Sequence, residues 1–299
     1  MKFHVVTPSY NSLEWLRQAL PSVRDQAGKD IAVHHHVQDA CSKDGTPEFL
    51  AEWAQQSEGL VGYSFSFASE PDEGMYDAIN RGWAKATTDV DVISHLNADE
   101  QYLPGAFEAI AQTFLSNPQA DIVLGDFIVI DKNGNYICHR RALSPHPWTS
   151  RYISGGMTVT TFQRREVFFG KGVKFDTSWR DLGDMVWYND LHKAGCSFAV
   201  VNNMIGTFAE TGKNRNWGEQ SAREVKIYAE KYLGGKLWLS LFVTKCVNLK
   251  RVVVDAFLPK PKQYAIYTSD SLNSRKTFPI VKPTPFWRVN RDEKAHRYF

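Results

Sequence analysis

The stretch that most constrains the fold of this chain is residues 90–100, VDVISHLNADE, where a β-branched apolar run ends abruptly in polar and acidic side chains. A strand buried in an α/β sheet carries apolar side chains on both faces, so the run predicts an interior strand. In open α/β sheets, ligands bind outside the carboxyl ends of the strands. Asn97 and Asp99 fall at that end, and their side chains point the same way if the strand continues. Their oxygens suit a hard divalent cation, which would be held weakly until phosphate oxygens complete its coordination shell. The alternative interpretation is that Asp99 caps a helix.

The segments before this stretch alternate between strand and helix patterns. Short β-rich runs at 3–6, 31–37 and 62–68 are separated by helices that begin near Leu13 and Thr46. Such alternation predicts parallel strands joined by right-handed crossovers.

The later part of the same region predicts that the sheet becomes mixed. The Asn-Gly pair at 133–134 is a strong hairpin signal, so residues 127–138 should pair antiparallel. Further strands are expected at 157–162 and 198–201, with a helix over 184–194 between them.

The composition is that of an ordinary globular protein, and its cysteines are expected to be reduced. The 299 residues are 43% hydrophobic and 23% charged, which allows one large domain plus an appendage. The four cysteines are scattered without metal-ligand spacing, which favours a reducing compartment and no structural zinc. The N-terminus enters a strand without a signal-peptide pattern, and no apolar run reaches the roughly 18 residues of a spanning helix. We expect a cytoplasmic protein.

Charge divides the chain into an acidic body and a basic extension. Residues 1–218 carry 19 Lys and Arg against 26 Asp and Glu, whereas residues 219–299 carry 16 against 7. The extension predicts a helix over 222–233, a long apolar helix over 236–258 and an irregular Pro-bearing tail. The long helix contains Lys245, Lys250 and Arg251, so it could pack on the core, lie on an anionic membrane face or form a dimer, in that order of preference.

Three acidic residues, Asp39, Asp72 and Asp99, stand in loops that follow successive predicted strands. A single loop aspartate is usually a turn or cap residue, but three at one sheet edge favour a ligand site. Together with their neighbours they form four motifs, TPSYN at 7–11, DACSKDGT at 39–46, DEGMYDAINRG at 72–82 and LNAD at 96–99. In this order and spacing, the motifs resemble the family 2 glycosyltransferases of the GT-A fold, over about residues 3–210.

The resemblance implies a fold, an activity and partners. The fold would be an α/β GT-A domain, a Rossmann-like mixed sheet flanked by helices, over 1–215. The activity would be inverting transfer of a sugar from a nucleotide-sugar, UDP-linked, to a hydroxyl of a glycan or lipid-linked acceptor in cell-surface polysaccharide synthesis. No nucleic-acid partner is expected. The resemblance does not cover the basic extension over 216–299, which its own pattern predicts to be mostly helical and whose charge makes any membrane contact peripheral, at the inner face.

The resemblance also implies roles for the residues that match its motifs. The base of the nucleotide would be bordered by Thr7, Pro8 and Tyr10 of the first motif. The Asp39 carboxylate would accept a hydrogen bond from the base. Asp72 and Gly74 would lie beside the nucleotide, with Gly74 permitting close approach of the backbone.

The LNAD motif stands where the family places its Asp-X-Asp motif. Asn97 is neutral where the family commonly has an aspartate. We therefore assign the direct contact with Mn²⁺ or Mg²⁺ to Asp99, and a water-mediated or ribose contact to Asn97.

A later acidic segment, LGDMVWYNDL at 182–191, resembles the family's motif for the catalytic base. Asp184 is the candidate that would deprotonate the acceptor hydroxyl. A helix-capping role is the structural alternative for Asp184, and Asp181 and Asp190 are competing carboxylates.

Two other classes of function compete with glycosyl transfer. A sugar-phosphate nucleotidyltransferase would carry a Gly-rich basic loop after the first strand, where TPSYN stands instead. A non-catalytic domain that binds nucleotide-sugar or glycan is favoured only by the neutral Asn97.

The cations of residues 211–217 suit either a lid over a diphosphate or a solvated linker.

Overall fold

The computed structural model describes residues 1–211 and 219–287, and its centre is a nine-stranded mixed sheet. The boundary predicted at 215/216 and most of the predicted lid at 211–217 lie outside the described residues. The sheet strands in chain order are β1 Lys2–Ser9, β2 Ala32–Asp39, β3 Tyr63–Ser69, β4 Val92–His95, β5 Gln101–Tyr102, β6 Ile122–Asp131, β7 Tyr136–Arg140, β8 Thr161–Arg164 and β9 Phe198–Glu210. A separate hairpin joins β10 Gln263–Thr268 to β11 Ser271–Pro279. The helices are α1 Leu13–Arg24, α2 Thr46–Ser57, α3 Met75–Trp83, α4 Ala106–Ser116, α5 Arg165–Phe169, α6 Gly183–Lys193, α7 Glu219–Leu233 and α8 Leu237–Ala256.

The first half of the sheet confirms the predicted βαβ organisation. The spatial order is β3-β2-β1-β4-β8-β6-β9-β5, with β7 also paired to β6. Strands β1 to β4 are mutually parallel, so their carboxyl ends meet at one edge. The predicted hairpin is present, because β6 and β7 pair antiparallel, and β8 pairs antiparallel with β4 and β6, so the sheet is mixed.

Three elements differ from the sequence prediction. Strand β4 ends at His95 and a turn follows, so Asn97 and Asp99 are not on a continuing strand. Strand β9 extends to Glu210 because it pairs with β6 along the whole length of that strand. The tail expected to be irregular forms the β10–β11 hairpin, whose Tyr264 and Ile266 pack in a core cluster with residues of β6.

Buried histidines occupy one region of the sheet. His4 on β1 and His35 and His36 on β2 are almost fully buried, and His4 and His34 are joined through their Nδ1 atoms at 2.9 Å. Neighbouring histidines of β2 alternate between the sheet faces, because His34 and His36 both contact Ser66 Oγ whereas His35 contacts Thr7 and Tyr63. Burial lowers the pKa of His36 to about 4 and that of His4 to about 3. These imidazoles are therefore neutral at pH 7.

Acidification should destabilise the protein through these histidines. A pKa lowered by folding contributes stability above the unfolded-state value of about 6.5, and this stability is lost as pH falls toward the folded value. Between pH 7 and pH 5, His36 alone should lose about 2 kcal/mol of unfolding free energy. Urea unfolding at both pH values checks this, because His36→Asn should reduce the pH-dependent loss by that amount. An unchanged loss in the variant would contradict the account.

The C-terminal extension packs against helix α6. Val225, Tyr228 and Leu233 of α7 and Val243 of α8 form a core cluster with residues of α6 and its preceding loop, including Met185. The extension is therefore part of the same packed body as α6. None of the helices within 1–211 and 219–287 is both long and apolar enough to cross a membrane.

Candidate active site

The carboxyl ends of the parallel strands bring several predicted site residues to one edge. Ser9, Asp39 and Ser69 are aligned by pairing at the ends of β1, β2 and β3. Strand β4 lies beside β1. The chain after β4 still follows β1, because the Leu96 N–H donates to the Val6 carbonyl at 2.9 Å. The sheet topology therefore places the loops of Asp39, Asp72 and Asp99 at the same edge.

Asp39 is fully buried at this edge and is held by two serines. Its carboxylate accepts hydrogen bonds from the Ser42 N–H at 3.0 Å, from the Ser42 hydroxyl and from the Ser69 hydroxyl at 2.6 Å. The bond to the Ser42 N–H is the local turn contact that an aspartate in a loop commonly makes. Asp39 thus organises the loop and presents Ser42 and Ser69, both of which line a cavity of about 430 Å³.

The first motif is divided between core and surface. Thr7 is fully buried, with its Oγ1 2.9 Å from Nε2 of His35, and Pro8 is also buried. Tyr10 is exposed at the rim, where a ring can stack on a base. Ser9, absent from the sequence prediction, has a buried Oγ without a partner among the described residues. A buried hydroxyl of this kind needs a hydrogen-bond partner, and a bound ligand can supply one.

The backbone is strained where the first two motifs meet. Asn11 and Cys41 have φ of 47° and 55°, the positive values found for non-glycine residues in the described chain. Their loops are joined by hydrogen bonds from the Asn11 N–H to Ser42 Oγ at 2.7 Å and from the Lys43 N–H to Asn11 Oδ1 at 2.9 Å. Backbone strain of this type is typical of functional loops.

Asp72 and Gly74 shape the entry to helix α3. The Asp72 Oδ1 accepts from the Gly74 N–H at 2.8 Å. Burial, together with the charges of Asp77 and Asp39, raises the pKa of Asp72 above its ordinary value, so Asp72 lies within electrostatic reach of Asp39. Gly74 has a φ of 114°, and a Cβ there would lie 2.6 Å from Nη1 of Arg180. The positive φ is what favours glycine here, and the close neighbour is the end of the Arg180 side chain, which donates to the Glu73 carbonyl.

The turn after β4 contains three buried or partly buried oxygen-bearing side chains. Asn97 Oδ1 is buried and has no partner among the described residues, and the same holds for Glu100 Oε1. Glu100 Oε2 accepts from the Asn97 N–H at 3.0 Å and so holds the turn. Burial raises the pKa of Asp99, and burial with the Asp99 charge raises that of Glu100 to about 8.

These oxygens fit a hard divalent cation. Asp99 is a carboxylate destabilised by burial, and the unpartnered Asn97 Oδ1 lies two residues away, so positive charge would stabilise this turn. Within the described parts of the chain, no group of three or more His, Cys, Asp or Glu side chains could hold a metal ion. Ligands from a bound nucleotide would have to complete the coordination shell.

Asp184 lies in the first turn of α6, beside the start of α3. Its N–H donates to the Tyr76 hydroxyl at 3.3 Å, and its Oδ1 accepts from the Met185 N–H at 2.8 Å. Gly183 allows this approach, because a Cβ there would lie 2.4 Å from the Tyr76 ring. The N-cap residue is Leu182, so Asp184 is not the helix cap. Burial raises the pKa of Asp184 to about 6, so it is ionised at neutral pH yet able to accept a proton.

A residue of the extension, Glu224, holds the loop that precedes Asp184. Its two carboxylate oxygens accept from the backbone N–H groups of Arg180 at 2.7 Å, Asp181 at 2.9 Å and Leu182 at 2.9 Å. Burial alone would raise the pKa of Glu224, but these bonds and one from Gln220 hold it below its ordinary value. A single carboxylate from α7 therefore fixes the loop that leads into α6.

The two competing residues make different contacts, Asp190 through its carboxylate and Asp181 through its backbone. Asp190 pairs with Lys193 at 2.7 Å on the outer side of α6. The Asp181 carbonyl accepts from the Tyr76 hydroxyl, and its N–H is held by Glu224. A larger cavity of about 760 Å³, lined by residues such as Asp77, Arg81, Asp176 and Asp190, contains none of the other predicted site residues.

Hydrogen bonds, close packing and one electrostatic interaction connect several of the predicted site residues. Asp39 acts electrostatically on Asp72, Asp72 binds the Gly74 backbone, and the loop of Gly74 meets Arg180 and Asp184. The position of Asp99 at the same edge follows from the parallel pairing of β4 with β1, and not from a contact with the other predicted site residues that the structure describes.

Several residues of this site have no local sequence signal. Glu224 and Arg180 act across long sequence separations. Ser9 lies within the TPSYN motif and Glu100 directly follows the LNAD motif, and these positions are the only sequence signals that could have drawn attention to them.

Comparison with known structures identifies the same fold in S. aureus TarS. Residues 1–349 of TarS match with a TM-score of 0.57 and 15% identity, over 77% of this chain and 64% of that one. The same region of TarS in complex with UDP-GlcNAc matches with a TM-score of 0.59 and 14% identity, over 77% and 66%. The complex with UDP gives a TM-score of 0.54 and 15% identity, over 77% and 64%. The chain thus spans slightly less than two thirds of the TarS region it matches, and at this identity the likeness establishes the GT-A fold alone.

Sequence comparison supplies the family. No curated protein matches the chain. A sequence profile described as "Glycosyl transferase family 2" matches residues 4–176, which is more than half of the chain and includes the motifs at 7–11, 39–46, 72–82 and 96–99. The chain therefore belongs to glycosyl transferase family 2.

Proposed function

We propose that this protein transfers a sugar from a UDP-sugar to a hydroxyl group of a glycan or lipid-linked acceptor, with inversion at the anomeric carbon. The observation that carries the proposal is Asp184, a partly buried carboxylate with a pKa of about 6 that is fixed beside the loops at the strand ends. Family membership and the TarS complexes with UDP-GlcNAc and UDP support a nucleotide-sugar donor.

The proposed reaction is a single displacement. The acceptor oxygen forms a bond to the anomeric carbon while the bond between that carbon and the diphosphate oxygen breaks, and UDP leaves on the opposite face. The acceptor proton passes to Asp184, whose raised pKa makes it a stronger base than an exposed aspartate.

The donor would be held by the loops at the strand ends. In this proposal Tyr10 covers the uracil, and Asp39 accepts from it directly or through the Ser42 and Ser69 hydroxyls that it orients. Thr7 and Pro8 support the strand from inside the core. Asp72 and Gly74 form the wall beside the ribose and diphosphate, next to the exposed cation Arg180.

Asp99 is the residue that would hold Mn²⁺ or Mg²⁺ directly, and Asn97 would contact the ion through water or contact the ribose. When bound, a divalent cation would neutralise the negative charge that develops on the diphosphate. The buried, unpartnered Asn97 Oδ1 and the desolvated Asp99 carboxylate support this assignment. Glu100 would keep the turn in shape through the Asn97 N–H.

The proposal includes action in the cytoplasm, in cell-surface polysaccharide synthesis. All four cysteines are free in the structure, which is compatible with a reducing compartment.

Replacing Asp99 tests the donor site. We expect Asp99→Ala to weaken UDP binding in the presence of Mn²⁺ by at least about tenfold and to lower kcat/KM by about 100-fold or more, because charge neutralisation at the leaving group is lost. Calorimetric titration with UDP and turnover of UDP-sugars with several acceptors measure the two effects. Asp89→Ala, which removes an exposed aspartate paired with Lys2, is the matched control.

The same assays separate the competing functions. Unchanged UDP binding in Asp99→Ala would contradict the metal assignment. Binding of UDP-sugars by the wild type without turnover would indicate a non-catalytic domain, and release of pyrophosphate from a nucleoside triphosphate and a sugar phosphate would indicate a nucleotidyltransferase.

A further inference from the structure

Helix α8 differs from an ordinary surface helix, because large apolar side chains are on its solvent side and several polar side chains face the body. Most surface helices direct apolar residues to the core and polar residues to water. The side of α8 that faces the body carries Val243, which is buried in a core cluster. It also carries polar side chains at helical spacing, namely Ser240, Thr244, Asn248, Arg251 and Asp255. Large apolar side chains lie on the opposite side, in solvent.

The inward polar side chains fix this orientation. Asp255 is buried and accepts from His139 Nε2 at 2.7 Å and from Arg141 Nε at 2.9 Å, while Lys260 also binds it. Asn248 Oδ1 accepts from Arg140 and Arg251. Rotating the helix to bury its apolar side would break these contacts and expel a buried carboxylate from its partners. The outward apolar side is therefore imposed by the fold.

The outward side forms an apolar stripe that contains one exposed lysine, Lys245, between Phe242 and Leu249. Trp238 is 68% exposed, Phe242 61%, Leu249 65% and Phe257 84%, and Leu241 and Val253 are also exposed. Spacings of three, four and seven residues place most of these side chains on one side along the five turns of the helix. Isolated exposed apolar residues need no explanation, but a stripe of them marks an interaction surface.

The charges around the stripe are all of one sign. Lys236, Lys245 and Lys250 are exposed on or just before the helix, and Lys262 is exposed just after it, whereas Lys260 pairs with Asp255. The acidic residue in this segment, Asp255, is buried and paired. A stripe of large apolar side chains with exposed lysines within it and beside it is complementary to an anionic lipid surface, which offers hydrocarbon beneath negative headgroups. A lysine within the stripe can lay its stem along the hydrocarbon while its charge reaches the headgroups.

We propose that the outward side of α8 docks the protein onto the surface of a bilayer that contains anionic lipids. The apolar side chains would enter the boundary between headgroups and acyl chains, and the lysines would bind the headgroups. This surface requires no glycosyl transfer to work. It would nevertheless bring the active site to acceptors that are anchored in the membrane.

A second copy of the chain is the less suitable occupant of this surface. A twofold interface would place the same stripe opposite itself, together with exposed lysines and without exposed carboxylates from α8 to neutralise them. An anionic bilayer supplies the missing negative charge.

Vesicle co-sedimentation of the full chain tests the proposal. Phosphatidylcholine vesicles with and without phosphatidylglycerol are the probes. We expect the wild type to bind the anionic vesicles at least about tenfold more tightly, with binding weakened by salt. Lys245→Gln combined with Lys250→Gln should reduce binding about 25-fold, at about fivefold per lysine. Trp238→Ser combined with Phe242→Ser should reduce it at least about tenfold.

A matched variant controls for loss of exposed apolar surface in general. Val61→Ser combined with Leu115→Ser removes two exposed apolar side chains elsewhere and should bind like the wild type. Circular dichroism and turnover of a UDP-sugar with a soluble acceptor show that each variant is folded, so failure of docking and failure of the proposed reaction are distinguishable. Absence of binding to anionic vesicles, or equal binding by all variants, would overturn the proposal. It would also be overturned by a wild-type dimer that Trp238→Ser with Phe242→Ser converts to monomers without any vesicle binding.

Discussion

Asp184→Asn is expected to lower kcat by about 1,000-fold while donor affinity changes by no more than about twofold. The amide has the shape of the carboxylate but cannot accept the acceptor proton. The Met185 N–H that now donates to Asp184 can donate to the amide oxygen, so the first turn of α6 should keep its structure. Steady-state turnover measures the loss, and calorimetric titration with UDP measures the retained affinity.

The pH dependence of the wild type provides a second measure of the same residue. With a pKa of about 6, Asp184 is ionised and competent above that value and becomes protonated as pH falls through it. The value of kcat/KM should therefore fall about tenfold per pH unit well below pH 6. Asp190→Asn is the matched control, because Asp190 is on the same helix and pairs with Lys193. Near-wild-type activity in Asp184→Asn, or a comparable loss in Asp190→Asn, would show that the base has been misassigned.

Glu224→Gln is expected to produce the largest effect of any substitution in the extension. The glutamine has one oxygen in place of two, so its amide N–H₂ would face a backbone N–H of residues 180–182 that now donates to the carboxylate. A buried donor left without an acceptor costs about 1–3 kcal/mol. We expect the free energy of unfolding to fall by about 2 kcal/mol and kcat to fall about tenfold or more, because the start of α6 that carries Asp184 loses its support.

A purely structural role for Glu224 would not change the titration of the active site. If Glu224 positions Asp184, the pH at which kcat/KM begins to fall should shift in Glu224→Gln while the affinity for UDP is retained. Glu230→Gln, at an exposed position on the same helix, should leave stability and the pH profile unchanged. A variant that loses stability but keeps the wild-type kcat and pH profile would show that Glu224 contributes to folding and does not position Asp184.

The parts of this site that depend on local pattern are predictable from sequence. Asp39 and Asp72 follow β-rich runs, and the order of the runs is enough to place both at the carboxyl edge of a parallel sheet. Asp184 is recognisable because it starts a helix within a matching motif. The Asn-Gly pair at 133–134 likewise specifies the β6–β7 hairpin through its turn geometry alone.

The parts that depend on distant contacts are not predictable in this way. Glu224 is 42–44 residues from the N–H groups that it binds. Gly74 looks like a backbone position made for a nucleotide, but its closest neighbour is Arg180, more than a hundred residues later. The end of β4 at His95 is equally non-local, since its pairing with β1 stops at Val6 and the Glu100 carboxylate caps the turn.

The extension shows the same division. Its sequence identifies a long apolar helix with embedded cations, but not which side of the helix faces the body. That choice is made by Asp255 and Asn248, whose partners His139, Arg141 and Arg140 come from β7 and the residue after it.

A crystal structure of the protein with UDP and Mn²⁺ tests the central claim most directly. The account predicts uracil between Tyr10 and the loop of Asp39, the metal ion on Asp99, and the diphosphate facing the side of the cleft that carries Asp184. UDP bound in the cavity lined by Asp77 and Asp176, or a metal ion away from Asp99, would contradict it.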